Sequence, residues 1–129
     1  MPGHLQKILF IATNRLRDGR FDAEQQRVAE LVRFIEAHEP RLIAFNEYVN
    51  EDPSQVGVVQ FHPDAASMEF HMGVVGDHAR QAYVQTLETT TGIQVFGTPT
   101  GNLLRMLQQQ AGSGVPLSIN PLHLISAAR

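Results

Sequence analysis

Residues 42–62 read LIAFNEYVNEDPSQVGVVQFH, two runs of strand formers on either side of Glu51-Asp52-Pro53-Ser54. β-branched and aromatic residues in both runs, with turn formers between them, predict a hairpin with strands over 42–50 and 55–62 and a loop of about four residues. Side chains alternate across a strand. Ile43, Phe45 and Val49 fall on one face of the first strand, and Leu42, Ala44 and Tyr48 on the other. In the second strand Val56, Val58, Gln60 and His62 share a face, and Val59 and Phe61 lie opposite. Both faces of this sheet are apolar. Helices of the same chain can cover one of them. The other calls for a second sheet, most simply that of an identical chain.

The flanking segments fit a single α+β unit. Residues 7–13 form a continuous apolar strand around Ile8, Leu9, Phe10 and Ile11, with a turn signal at Asp18-Gly19. Residues 22–38 place Val28, Leu31, Val32 and Ile35 on one helical stripe. Asp22 with Gln25 is read as a capping pair, and Pro40 ends the helix. Residues 64–87 form a second helix with Asp64 as N-cap and a break expected near Gly73 and Gly76. Residues 93–96 make a fourth strand. A short helix through Leu103, Leu104, Leu107 and Ala111 follows, and then an extended segment over 115–126. Pro116 and Pro121 confine that segment to a sheet edge. The order βαββαβ plus a helix and a strand is a ferredoxin-like split βαβ fold with an antiparallel sheet, in one domain over residues 1–129.

Composition narrows the function. Ten Lys+Arg against 13 Asp+Glu leave no basic footprint for nucleic acid. The absence of Cys removes disulfides, thiolate metal sites and a thiol nucleophile. No apolar run approaches the roughly 20 residues of a membrane span, and no apolar leader follows His4 and Lys7. A cytoplasmic location is the expectation, with no membrane or nucleic-acid partner. No phosphate-binding glycine motif, nucleophile elbow or paired His spacing for zinc is present, so no metal is expected.

Six His supply the groups that titrate near neutral pH. His71 and His78 lie seven residues apart on one predicted helix, about 10 Å if it is unbroken. Each is read as either a helix-flank His in a hydrogen bond or a cavity-wall base. His62, at the end of the third strand, is a junction residue or a cavity acid/base. His4, His38 and His123 are read as incidental, helix-capping and surface residues. Asn14 follows the first strand and is a turn residue or a substrate-orienting amide. Asn46 faces either the second sheet or the cavity. Tyr83, Met68 and Met72 lie on the core stripe of the second helix. Glu47 is read as solvated or at a dimer contact, and Arg15, Arg17 and Arg20 as solvated.

The chain resembles antibiotic-biosynthesis-monooxygenase-like (ABM-like) domains of the dimeric α+β barrel superfamily over about residues 5–126. The resemblance is carried by Ile8-Leu9-Phe10-Ile11-Ala12-Thr13 with the helix and hairpin that follow. It continues through Phe61-His62-Pro63-Asp64-Ala65-Ala66-Ser67-Met68-Glu69-Phe70-His71 and through Ile93-Gln94-Val95-Phe96-Gly97-Thr98-Pro99. It implies a homodimer whose two sheets form a barrel, with a cavity in each protomer for a small-molecule ligand. It also implies chemistry such as cofactor-free oxygenation of aromatic substrates, heme degradation or isomerase-type reactions. Ala12-Thr13-Asn14-Arg15-Leu16 is similar to the run that places a catalytic Asn in heme-degrading members. Met68 and His78 stand at the spacing of the Trp and His that complete that site, but this chain has no Trp.

The resulting expectation is a cofactor-independent monooxygenase-like enzyme acting on an aromatic or enolisable substrate. His78, His62 and Asn14 are the catalytic candidates, and His71, Tyr83, Met68 and Asn46 the substrate-binding ones. No cofactor is expected, with heme held by His78 as the exception kept open. An inactive ligand-binding or interaction protein of the same fold is the alternative.

Overall fold

The computed structural model describes residues 7–127. Its elements run β1 (Ile8–Leu16), α1 (Phe21–His38), β2 (Ala44–Val49), β3 (Gln55–His62), α2 (Ala65–Val74), α3 (Gly76–Gln85), β4 (Leu87–Phe96), α4 (Gly101–Ala111) and β5 (Leu117–Asn120). The sheet order is β2-β3-β1-β4-β5, antiparallel except for the β4–β5 pair. This is the ferredoxin-like arrangement with an added helix and edge strand. Pro116 and Pro121 bracket β5, where a missing amide donor leaves no gap in the ladder.

The inner face of β1 carries Ile8, Phe10, Ala12, Asn14 and Leu16, all buried. Ile8, Phe10 and Ala12 join Met68 of α2, Ile93 and Val95 of β4, and Leu103 and Leu107 of α4 in the main core. Burying each large aliphatic side chain contributes about 1.5–3 kcal/mol, so four helices seated on one sheet face suffice to hold the layer. Gly97 ends β4 at φ +114°, where an added Cβ would lie 2.5 Å from the Lys7 carbonyl oxygen. Only glycine permits that approach.

The opposite sheet face is open. Tyr48, Phe61 and Phe96 on it are 65%, 37% and 38% exposed. Asn46 lies there too, exposed and paired with Val59.

Several local expectations change. β1 runs three residues further than its apolar stretch, because β3 and β4 pair with it on both sides as far as Arg15 and Leu16. Asn14 is thus inside the strand, next to a register shift against β4 between Thr13 and Asn14. β4 starts at Leu87, which periodicity assigns to the helix. The second helical stretch breaks at Val75 between the two glycines, giving α2 and α3. Asp64 caps α2 by accepting from the Ser67 amide at 2.9 Å. Asp22 caps nothing: α1 is entered from Arg20 without a side-chain cap, and Asp22 instead places negative charge in the first turn.

Candidate functional site

A half-open cavity of about 240 Å³ lies between the inner sheet face and the helices. Phe10, Ala12, Phe45 and Val58 make its sheet wall, and Leu31, Met68, Met72 and Ala82 most of the helical one. Its polar lining includes His71, Asn14 with Tyr83, Glu47 with Arg27, and the amides of Gln60 and Gln110.

His71, in the last turn of α2, is 2% exposed. Its Nδ1 lies 2.8 and 2.9 Å from the two carboxylate oxygens of Glu39, the residue after α1. An N–H donating to a carboxylate fits that two-oxygen contact. It leaves Nε2 as the unprotonated edge, and no described residue takes it. Burial pushes Glu39 up to about 7 and His71 down to about 4, so above about pH 7 the pair is a carboxylate beside a neutral imidazole. Together they form a carboxylate–imidazole dyad in a cavity wall.

Asn14 Oδ1 accepts from Tyr83 Oη at 2.8 Å and from Thr90 Oγ1 at 2.7 Å. That assigns the amide: Nδ2 has no partner among the described residues and remains a donor. Burial raises the Tyr83 phenol above its usual range, so it stays protonated.

The third group was not legible as a site. Glu24 of α1 is 2% exposed and accepts from Arg27 Nε and Nη2 at 2.8 and 2.7 Å and from Thr86 Oγ1 at 2.6 Å. Glu47 reaches the same cluster from β2, its side chain 7% exposed. Burial and the hydrogen bond it shares with Glu24 push Glu47 up to about 9. Burial also raises Glu24, but the bonds from Arg27, Glu47 and Thr86 outweigh it and hold Glu24 below the ordinary carboxylate range. The reading of Glu47 as solvated is therefore corrected. Glu47 alternates in step with Phe45, and that face of β2 is the one turned to the cavity.

The structure brings Asn14, His71, Tyr83 and Met68 to one cavity and separates the rest. His62 is fully buried behind it. Its Nε2 donates to Gln60 Oε1 and its Nδ1 accepts from the Ser67 hydroxyl, both at 2.9 Å, so both nitrogens are used internally. His78 packs on Phe34 of α1 with ring centroids 4.5 Å apart and does not line the cavity, which α3 meets through Ala79, Ala82 and Tyr83 instead. Asn46 faces away on the outer side of the sheet. His78, the residue expected to hold a heme, is not among the residues that line the cavity. Arg17 is half-buried rather than solvated, while Arg20 is exposed as expected. They donate to the carbonyls of Tyr83 and Gln85 at 2.7 and 3.0 Å, where the end of α3 leaves carbonyls unpaired. His38 bonds the Phe34 carbonyl at 2.8 Å, and His123 bonds Ser126 Oγ on the surface. His4 lies outside the described residues.

The buried His62 has a measurable consequence. Burial, together with the nearby His71, lowers it to about 4. Between about pH 6.5 and 4 the unfolded chain gains a proton that the folded chain refuses, so this group's stabilisation falls as pH falls. Glu39 and Glu47, shifted upward, act with the opposite sign, so the clean readout is a difference. Relative to the parent protein, His62→Gln should gain stability on going from pH 7 to pH 4.5, at up to about 1.4 kcal/mol per pH unit. Urea denaturation at the two pH values checks it. A difference that does not move with pH would mean that His62 is not held neutral.

No family model matches the chain, and no curated protein does. Solved structures do. MupZ from Pseudomonas fluorescens superposes on 95% of this chain and 95% of its own, with a TM-score of 0.73 at 12% identity. An antibiotic biosynthesis monooxygenase covers 72% of this chain and 99% of its own, with a TM-score of 0.60 at 17% identity. SO0527 from Shewanella oneidensis covers 70% of this chain and 88% of its own, with a TM-score of 0.60 at 20% identity. At these identities the likeness is one of fold, and the fold is the ABM-like one. No helix among the described residues is long and apolar enough to cross a membrane.

Proposed function

We propose that this chain is a small-molecule enzyme that removes a proton from an aromatic or enolisable substrate in its cavity, the opening step of a cofactor-independent oxygenation. The observation that carries the reading is the Glu39–His71 dyad, with Nδ1 engaged and Nε2 unpartnered in an otherwise apolar wall. Glu39 fixes the imidazole's tautomer and orientation and stabilises the imidazolium that forms. The Asn14 Nδ2 donor, braced by Tyr83 and Thr90, is suited to hold the substrate oxygen as charge develops on it. A ring CH₂ deprotonated in this way can pass electrons to dioxygen directly. One oxygen atom becomes the new carbonyl, and the other leaves as water with the two methylene protons. The base is His71, not His78 or His62.

The open sheet face supports a homodimer, acting in the cytoplasm, in which a second copy covers Tyr48, Phe61 and Phe96. An oxygen electrode with fused-ring phenols and quinols tests the activity. Oxygen uptake well above that of a His71→Asn control, with ¹⁸O₂ label in the product, is expected. Binding without uptake would instead identify a ligand-binding protein.

A further inference from the structure

The cluster beside the cavity has two carboxyl groups and one cation. Arg27 gives Glu24 one bidentate edge of its guanidinium, Nε and Nη2, and Thr86 adds a third donor, so Glu24 is the ionised member. Arg27 Nη2 stands 3.8 Å from Glu47 Oε1, beyond hydrogen-bonding reach. A second anion here would sit against the first in a dry site whose single cation, Arg27, is hydrogen-bonded to Glu24 and only within ion-pair distance of Glu47. One proton therefore stays with the pair, on Glu47. Of the two carboxyls only Glu47 lines the cavity, on the same strand face as Phe45, whose ring packs 5.9 Å from that of His71. The two residues are one side-chain step apart along β2, roughly 7 Å. A buried base and a buried acid thus share one small apolar chamber.

We propose that Glu47 is a second catalytic residue, a carboxylic acid that donates its proton to the oxygen of a neutral aryl ketone while His71 takes a proton from the adjacent carbon, so that the cavity catalyses enolisation without dioxygen. The inference rests on the reading of His71 as a base. The step balances within the site. The C–H proton passes to His71 Nε2, and its electron pair becomes the C=C bond. The carbonyl π pair takes the proton of Glu47, leaving an enol, imidazolium and carboxylate. Reversal restores all three. In the resting cavity the Glu47 proton bridges to Glu24, and the ligand oxygen is its alternative acceptor. The charged and titratable groups facing Glu47 are Glu24 and Arg27 from α1, with Tyr83 of α3 acting on Arg27. Burial and Glu24 hold the acid near 9, a range in which transfer to and from an enol or phenol oxygen is close to balanced.

The test uses 1-tetralone in D₂O under argon, with α-proton exchange followed by NMR and binding by titration of the same signals. The parent protein should bind 1-tetralone and accelerate exchange at least 100-fold over buffer, with loss of rate above about pH 9. Glu47→Gln keeps the donor to Glu24 but has no proton to transfer. It should bind within a few-fold of the parent and lose exchange by at least 50-fold. Glu24→Gln, in which Arg27 is freed to ionise Glu47, should lose exchange at pH 7 although Glu47 is still present. Failure of the parent to bind or exchange 1-tetralone, or full exchange in Glu47→Gln, overturns the proposal. Exchange under argon with no oxygen uptake in air removes the oxygenation reading and leaves this one standing. Oxygen uptake that survives Glu47→Gln does the reverse.

Discussion

Replacing His71 with Asn should lower substrate turnover by about 10² to 10⁴, the usual range for a positioned general base, while ligand affinity changes little. The ring contributes one group that the cavity cannot supply otherwise, an unprotonated Nε2 in an apolar wall. Glu39→Gln should have a smaller effect on rate and a distinct effect on pH dependence. The base-competent state is ionised Glu39 with Nδ1–H. Adding a proton anywhere in the dyad, as imidazolium or as a protonated carboxyl that pushes the imidazole proton to Nε2, destroys the lone pair. Burial holds Glu39 near 7, so the acid limb of kcat/KM belongs there, and Glu47 sets the alkaline limb near 9. In Glu39→Gln the acid limb should move down toward the value of about 4 to which burial holds His71. A kcat/KM profile over pH 5–10 checks this. An unchanged limb in Glu39→Gln, or full turnover in His71→Asn, would remove the dyad from the mechanism.

Arg27→Met should destabilise the protein by about 3–5 kcal/mol at pH 7, the penalty of leaving a buried carboxylate without its partner. Met matches the aliphatic stem, so the loss reports charge more than volume. Two observations separate this from simple packing. Glu24→Gln added to Arg27→Met should recover most of the loss, because the unmatched charge is gone. The penalty should also shrink in acid. Without Arg27, Glu24 has a folded pKa above its unfolded value, so stability lost at neutral pH returns as pH falls through the raised folded pKa toward 4.5. Urea denaturation of the single and double variants at pH 7 and pH 4.5 measures both. A loss of equal size at both pH values with no rescue would assign Arg27 a packing role.

The elements were legible where local pattern and tertiary context agree. The hairpin alternation, the α1 stripe, the Asp64 cap and the prolines around β5 all act through nearby residues, and each held. The end of β1 was hidden because Thr13, Asn14 and Arg15 carry little strand signal. Two neighbouring strands, not propensity, keep those residues extended. The site was legible in part for the same reason. Asn14, His71, Tyr83 and Met68 are visible as residue types on the right elements. Glu39 is not: it reads as the residue before a helix-ending proline, and its partner His71 lies 32 positions away. His78 looked equivalent to His71 only on an unbroken helix. Two glycines announced the break but not which face of α3 meets the cavity, the one with Ala79, Ala82 and Tyr83.

The proposed mechanism requires Glu39 to hold His71 with Nδ1 protonated and Nε2 open to the cavity. Long-range ¹H–¹⁵N NMR of histidine-labelled protein at pH 8, with and without 1-tetralone, reads this directly. His71 should show a neutral Nδ1–H tautomer, with an Nε2 resonance that shifts on adding the ketone, while both nitrogens of His62 and His78 stay in place. An Nε2–H tautomer for His71, or a ketone-induced shift at His78 and none at His71, would contradict it.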